Sequence, residues 1–386
     1  MSTERRISPF GEIASFVSGN RPQGGVGQIK EGALSLGGEH VGVDGKLALT
    51  TPKYVPLDYF NNNPKGHVQS GDILLCKDGA LSGKVALERG ELSGFQSMVN
   101  EHVFIIRTSK LNQKYLFYYL FSPVGQRLLK GIVTGAAQGG INGKNLKSIP
   151  VVYPDSLNKQ QRIVDELDLL TDIIDKKNAQ LRDLDTLVDS LFFEMFGEAE
   201  VNQKGFPLLT IDDVIQFQGG SQPDKKFFEY EPTEDNVRLI QIRDYKTDRY
   251  ITYVPKELAR RFCTEDDIMI GRYGPPIFQI LKGISGAYNV ALMKAVPKQG
   301  NKDFIRVFLM QKRLLHYLES FSRRVAGQDG IQMDKLKSYP FPFPPMGLQN
   351  RFAEQYHEIE KQKKNVSQSI AECENLLSSR MSYYFD

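Results

Sequence analysis

The stretch NLKSIPVVYPDSLNKQQRIVDEL, residues 145–167, returns as KLKSYPFPFPPMGLQNRFAEQY, residues 335–356. Each copy joins a Leu-Lys-Ser-x-Pro box to a Gln-x-Arg sequence and then opens a long segment. Neither Pro nor Gly occurs between Asn158 and Phe196, or between Leu348 and Tyr384. In the first segment Ile163, Leu167, Leu170, Ile174, Leu181, Leu184, Val188, Leu191 and Met195 recur at alternating spacings of four and three, with one gap across Lys177. In the second, Phe352, Tyr356, Ile359, Val366, Ile370, Cys373 and Leu377 keep the same register, with Lys363 out of pattern. Such a stripe is a coiled-coil seam. The spacing predicts two helices of about 36–40 residues, roughly 55–60 Å long at 1.5 Å per residue. Stripes of matching length and register in one chain predict that the helices are each other's partners. The first must deliver the chain to a second domain and the second returns from it, so they are expected to lie antiparallel.

Working outward, the rest of the chain repeats as well. Gln138-Gly139-Gly140-Ile141 answers to Gln328-Asp329-Gly330-Ile331, and Asp72-Ile73-Leu74 with Gly79 to Asp267-Ile268-Met269 with Gly274. Phe16 to Pro22 corresponds loosely to Phe217 to Pro223. The offset drifts along the chain as loop insertions and deletions would make it. Strands are predicted over 71–76, 102–106, 237–242 and 267–270, bounded by Gly and Asp turns. Amphipathic helices are predicted over 112–131, anchored by Leu116, Tyr119 and Leu120, and over 302–320, anchored by Val307, Phe308, Leu314 and Leu318. Ser122-Pro123 should split the first, with Ser122 capping the second piece. The fold class is therefore α+β: two pseudo-symmetric domains, 1–153 and 201–344, separated by two long antiparallel coiled-coil helices, 154–200 and 345–386.

Charge follows the same division. The formal charge is +3 overall, but +6 over residues 1–153, −6 over 154–204, +4 over 205–344 and −1 over 345–386. Basic globular blocks are the electrostatic footprint of a polyanion binder. The three cysteines form no CxxC pair, which argues against a disulfide framework or zinc site and fits a reducing cytosol. No signal-peptide core opens the sequence, and no apolar run reaches the roughly 18 residues that cross a bilayer. A cytoplasmic protein is expected.

Catalytic signatures fail one by one. His40, His67, His102, His316 and His357 have no metal-ligand spacing. The run from Gly79 to Val85 is one residue short of a phosphate loop and has Val85 where Ser or Thr must hold magnesium; the run from Gly139 ends on Asn145. No G-x-S-x-G elbow and no Asn/Asp-Pro-Pro-aromatic methyltransferase box occurs; Phe343-Pro344-Pro345-Met346 lacks the polar lead and the aromatic. Pro223-Asp224 with Asp244-Tyr245-Lys246 could form a nuclease carboxylate–lysine cluster, but the first repeat has no counterpart. No catalytic residue and no metal ligand is assigned.

Two variable α+β domains, each followed by the Leu-Lys-Ser-x-Pro box, the Gln-x-Arg sequence and a heptad helix, resemble the specificity (S) subunit of type I restriction-modification systems over essentially the whole chain. The sequence opens almost directly on the first domain, so the family's shared helices would be the central and C-terminal ones. The resemblance implies a bacterial or archaeal DNA-recognition subunit whose two domains each bind one half of a split, asymmetric double-stranded target. The helices would fix the spacer and dock two DNA adenine methyltransferase subunits carrying S-adenosylmethionine. Translocating endonuclease subunits with ATP and Mg²⁺ could join, and no cofactor is expected on this chain. Two alternatives stay open: a related system whose partner fuses methylase and nuclease, and a coiled-coil adaptor with no DNA role.

Phosphates call for Lys, Arg and loop amides, and base edges for Arg, Lys, Asn or Gln. On that chemistry the candidate DNA contacts are Arg21, Gln23, Lys77, Lys84 and Lys144 in the first domain. In the second they are Gln222, Lys225, Lys226, Arg243, Arg272, Tyr273, Arg323 and Arg324. Most lie in Gly-flanked loops or at strand ends. Gly79, Gly140, Gly274 and Gly330 are read as turn formers rather than contacts.

Overall fold

The computed structural model describes residues 5–26, 29–135, 139–274, 276–321 and 330–386. They form two units, one of residues 1–179 with 367–386 and the other of residues 180–366, so each long helix contributes to both.

In the first unit a four-stranded antiparallel sheet runs in the order Ser15–Ser18, Val103–Arg107, Ile73–Cys76, Val85–Leu87. Its strands are short and apolar because both faces are covered. Ile73, Leu75, Val85, Leu87, Phe104 and Ile106 join the core formed with the helices Gln113–Phe121 and Pro123–Gly131. The alternate residues Leu74, Cys76, Ala86, Val103 and Ile105 face a second cluster with Leu34, Leu36 and Val99. Those three come from a smaller sheet in which Ala33–Leu36 pairs parallel with Ser97–Val99 and antiparallel with Tyr54–Val55. Arg5–Pro9 pairs with Pro150–Pro154 and ties the start of the domain to its end.

The second unit repeats this plan strand for strand. Its main sheet runs Ile215–Gly219, Leu292–Pro297, Ile268–Gly271, Gln279–Leu281, again all antiparallel. Asn236–Ile240 pairs parallel with Gly286–Tyr288 and antiparallel with Tyr253–Pro255, and Leu208–Thr210 closes on Pro340–Pro342. The added piece is the strand Phe262–Cys263 on the smaller sheet.

The repeated boxes are structural. Leu146 and Leu336 are fully buried. The carbonyls of Ile149 and Tyr339 accept from the N–H groups of Phe10 and Ile211, at 2.8 and 3.1 Å. Gln160 is buried at the start of the helix Leu157–Phe196; its Oε1 accepts from Asn112 N–H at 2.8 Å and its Nε2 donates to the Pro154 carbonyl at 2.8 Å. Gln349, in the helix Met346–Phe385, does the same with Asn301 and Pro344 at 2.8 and 2.7 Å. Asn112 and Asn301 in turn cap the helices that follow them. The box clips each long helix to the domain before it.

Both long helices have 40 residues. In the first unit Val164 and Leu167 share a core with Met381 and Phe385, and Arg380 binds Glu166 and Tyr384. In the second, Phe192 and Phe196 pack against Phe352 with ring centroids 5.5 and 5.3 Å apart, and Lys363 pairs with Asp185 at 2.7 Å. Within that unit rising numbers on one helix meet falling numbers on the other, so the segments are antiparallel. Leu167, Leu170, Leu184, Val188, Phe352, Tyr356, Ile359, Val366 and Ile370 are buried; Ile163, Ile174, Leu181, Leu191 and Leu377 are half-buried. The heptad reading missed Val164, Phe192, Phe196, Met381 and Phe385, which widen the apolar stripe where the helices lie on their domains.

Ser122 does cap the second piece of the 112–131 helix, accepting from Gly125 N–H at 3.1 Å. The expectation of one helix over 302–320 is corrected: Lys302–Leu309 and Lys312–Phe321 are separate. No proline marks this break. The Gln311 side chain donates to the Val307 carbonyl at 3.1 Å and helps satisfy the open helix end. The strand expected over 237–242 stops at Ile240, because Asp244 accepts from Gln241 N–H at 3.0 Å and turns the chain.

Candidate nucleic-acid interface

The main-sheet strand Ile73–Cys76 ends in a loop that meets two others. Lys77 donates its N–H to the His102 carbonyl at 2.9 Å, and its own carbonyl accepts from Ile141 N–H at 2.7 Å. Gly79 N–H and the Ser82 hydroxyl both donate to the Gly139 carbonyl, at 3.0 and 3.1 Å. The strand-end turn and the Gly139-Gly140-Ile141 loop, far apart in sequence, thus form one edge, closed by a bridge between Asp78 and Gly140. In the second unit Tyr273 and Gly330 make the matching bridge.

Side chains from this edge form a relay. Arg21 and Glu101 form an ion pair with Nε 2.6 Å from Oε1, and Glu101 lies 3.4 Å from His102 Nε2. His102 Nδ1 is 3.1 Å from Asp78, whose carboxylate is 3.8 Å from Lys77 Nζ. Arg21 and Gln23 line an open cleft with Tyr59 and Glu101. Burial and the Glu101 carboxylate push the Tyr59 phenol above its ordinary range. The relay brings Arg21 and Lys77 together. Lys84 is half-buried at the far end of the same turn, and Lys144 is exposed on the short helix Gly143–Lys147. Neither has an ion pair among the described residues.

In the second unit Gln222 lies on the loop after Gly219, which rests on the 288–292 turn through bonds from Gly220 to Leu292 and from Ser221 to Tyr288. Arg272 rests on the same turn: its N–H donates to the Ala291 carbonyl at 2.9 Å and its guanidinium to the Val290 carbonyl at 3.4 Å. The guanidinium also sits 5.4 Å from the Tyr273 ring centroid. Gln222, Arg272 and Tyr273 therefore gather on one frame. Lys225 and Lys226 are exposed on a separate turn, Lys226 lying over the Phe227 ring. Arg243 stands apart, held at the end of the smaller sheet by Tyr250 and Thr252. Arg323 and Arg324 lie outside the described residues, as do Gln138, Gln328 and Asp329.

The carboxylate–lysine reading finds no geometry. Asp244 is buried beside Arg238 and Arg243, and burial pushes its carboxyl above the usual range. Asp224 is exposed and accepts from Lys226 N–H. No three His, Cys, Asp or Glu side chains gather to hold a metal among the described residues. No helix among them is long and apolar enough to cross a membrane.

The sequence reading missed Glu101, His102 and Asp78. Acidic residues are poor candidates for a polyanion surface, and Glu101 lies 80 positions from Arg21 in the sequence.

Residues 20–183 match the family model of the type I restriction modification DNA specificity domain. The chain is similar to the type I restriction enzyme MjaIX specificity subunit of Methanocaldococcus jannaschii, 26% identical over 213 residues, which are 47% of this chain and 48% of that one. The MjaVIII specificity subunit of the same organism is 26% identical over 139 residues, 35% of this chain and 32% of that one. The matches thus span about a third to a half of these curated relatives' length. Among solved structures, the S subunit of a type I restriction-modification system from M. genitalium has the same fold, with a TM-score of 0.56 at 12% identity over 100% of this chain and 97% of that one. A chain solved in work on complex assembly and conformational transition of the type I system gives 0.50 at 16% identity over 99% and 97%. The resemblance to type I specificity subunits, carried by the repeated boxes, and the α+β fold are both borne out.

Proposed function

We propose that this chain, which carries a type I restriction modification DNA specificity domain, is the non-catalytic subunit that reads a bipartite DNA target for its complex. The observation that carries the reading is the pair of units with one strand order and different side chains on the same loop edge. Matching main sheets with unlike loop edges suit two readers of unlike half-sites. The edge offers the groups that duplex recognition calls for: guanidinium groups, loop amides, and exposed lysines for phosphates. The two 40-residue helices supply the spacer between half-sites and the surface on which methyltransferase subunits dock. S-adenosylmethionine and the methyl-transfer chemistry reside on those partners, and ATP and Mg²⁺ on an endonuclease subunit where one joins.

The test is methyl transfer from labelled S-adenosylmethionine to duplex DNA. The purified chain alone is expected to transfer nothing. With its methyltransferase partner it is expected to direct adenine methylation to one split sequence. Transfer by the chain alone, or partner methylation without sequence preference, would contradict the reading.

A further inference from the structure

The two units share two bonds of the frame that carries these loops. Asn100 Oδ1 accepts from His102 N–H at 2.9 Å, and Asn289 Oδ1 accepts from Ala291 N–H at 3.1 Å. Lys77 N–H reaches the His102 carbonyl and Arg272 N–H the Ala291 carbonyl, both at 2.9 Å. A Cβ on Gly19 would lie 1.7 Å from the Val99 carbonyl oxygen, and one on Gly220 would lie 1.9 Å from that of Asn289, so both loops press onto the turn where only glycine fits. On this common backbone the side chains differ. Arg21, Glu101 and His102 stand where the second unit has Gln222, Val290 and Ala291.

We propose that Glu101 is a specificity-determining positioning residue, which fixes Arg21 as a fork for a guanine in the half-site read by the first unit. The proposal rests on the reading of the chain as a DNA-recognition subunit. Glu101 Oε1 lies 2.6 Å from Arg21 Nε, the closest approach of a partly exposed ion pair. The two Nη groups of Arg21 make no hydrogen bond among the described residues. That leaves the pair of donors that matches guanine O6 and N7. Holding the guanidinium in advance removes rotamer freedom that would otherwise be lost on binding. Charge decides between base and phosphate. Arg21 and Lys77 are balanced by Glu101 and Asp78 in the same relay, so the locus has little net attraction for the DNA backbone. A near-neutral, preset fork is suited to reading an edge rather than clamping a phosphate. In the second unit the apolar Val290 and Ala291 cannot build the relay, and Arg272 is set instead against Tyr273 and the Val290 carbonyl.

The experiment is selection from a pool of randomised duplex DNA by the full-length chain with its methyltransferase partner. Wild type is expected to yield a split motif with a guanine in the half assigned to the first unit. Glu101→Gln is expected to lower the preference for that guanine by at least about tenfold and leave the other half unchanged. Arg21→Gln, which installs the second unit's residue, is expected to erase preference at the same base pair. The proposal is overturned if Glu101→Gln leaves the motif intact. It is also overturned if that variant strengthens binding to all sequences with a steeper salt dependence, which would make Arg21 a restrained phosphate contact. Loss of preference at different base pairs in the two variants would overturn it too. A wild-type chain that selects no split motif would instead remove the DNA-recognition reading, and this inference with it.

Discussion

Gly19 illustrates how single residues hold the loop edge of the first unit. Its loop lies so close to the Val99 carbonyl that a methyl group has no space. Gly19→Ala is expected to destabilise the first unit by about 1–3 kcal/mol, the usual range for overpacking a close contact, and thermal unfolding of the variant measures it. The cysteines give a second expectation. Burial pushes the Cys263 thiol up to about 11 and raises that of Cys76, and both side chains are buried, whereas Cys373 is partly exposed. The thiolate is the reactive form, so at pH 8 alkylation should reach Cys373 first and leave Cys263 and Cys76 slow. Mass spectrometry of a labelling time course checks this. Equal rates at all three would mean that the domain cores open readily. At this scale the sequence was least informative. Arg21 could be suspected from its Gly-flanked loop, but its partner Glu101 lies in a turn between two strands, and only their pairing brings the two together.

Elements were far more legible, and the reason is periodicity. The heptad stripe and the absence of Gly and Pro located both long helices to within a few residues, because a continuous apolar face leaves little choice of conformation. The Ser-Pro pair announced the break after Phe121, whereas nothing as distinctive marks Met310 and Gln311, so the second break stayed hidden. The role of the Gln-x-Arg sequence also needed the structure, since a buried glutamine that satisfies two backbone groups has no periodic signature. Gln349→Ala removes the acceptor for Asn301 N–H and the donor for the Pro344 carbonyl. Leaving such groups unsatisfied costs about 1–3 kcal/mol each, so the variant should melt measurably lower, with the loss concentrated in the second unit. Hydrogen exchange of the segment around Asn301 locates it. Unchanged protection there would mean that the clip is not what joins helix to domain.

At the scale of the whole molecule, the proposed function makes each unit an independent reader and the pair of helices the element that sets the spacing of their targets. Four residues inserted after Ala179 keep the helix in phase to about 40° beyond a full turn and lengthen it by about 6 Å. That length approaches two base-pair rises of roughly 3.4 Å. The methylated target of a functional insertion variant should therefore gain spacer and keep both half-sites. A functional variant with the original spacer would show that the helices do not measure the DNA. The most direct test of the central claim is to exchange residues 1–153 for the equivalent domain of a relative with a different target, and to map methylated adenines genome-wide by single-molecule sequencing. One half-site is expected to change and the other to stay as it was. Both halves changing together, or neither, would contradict it.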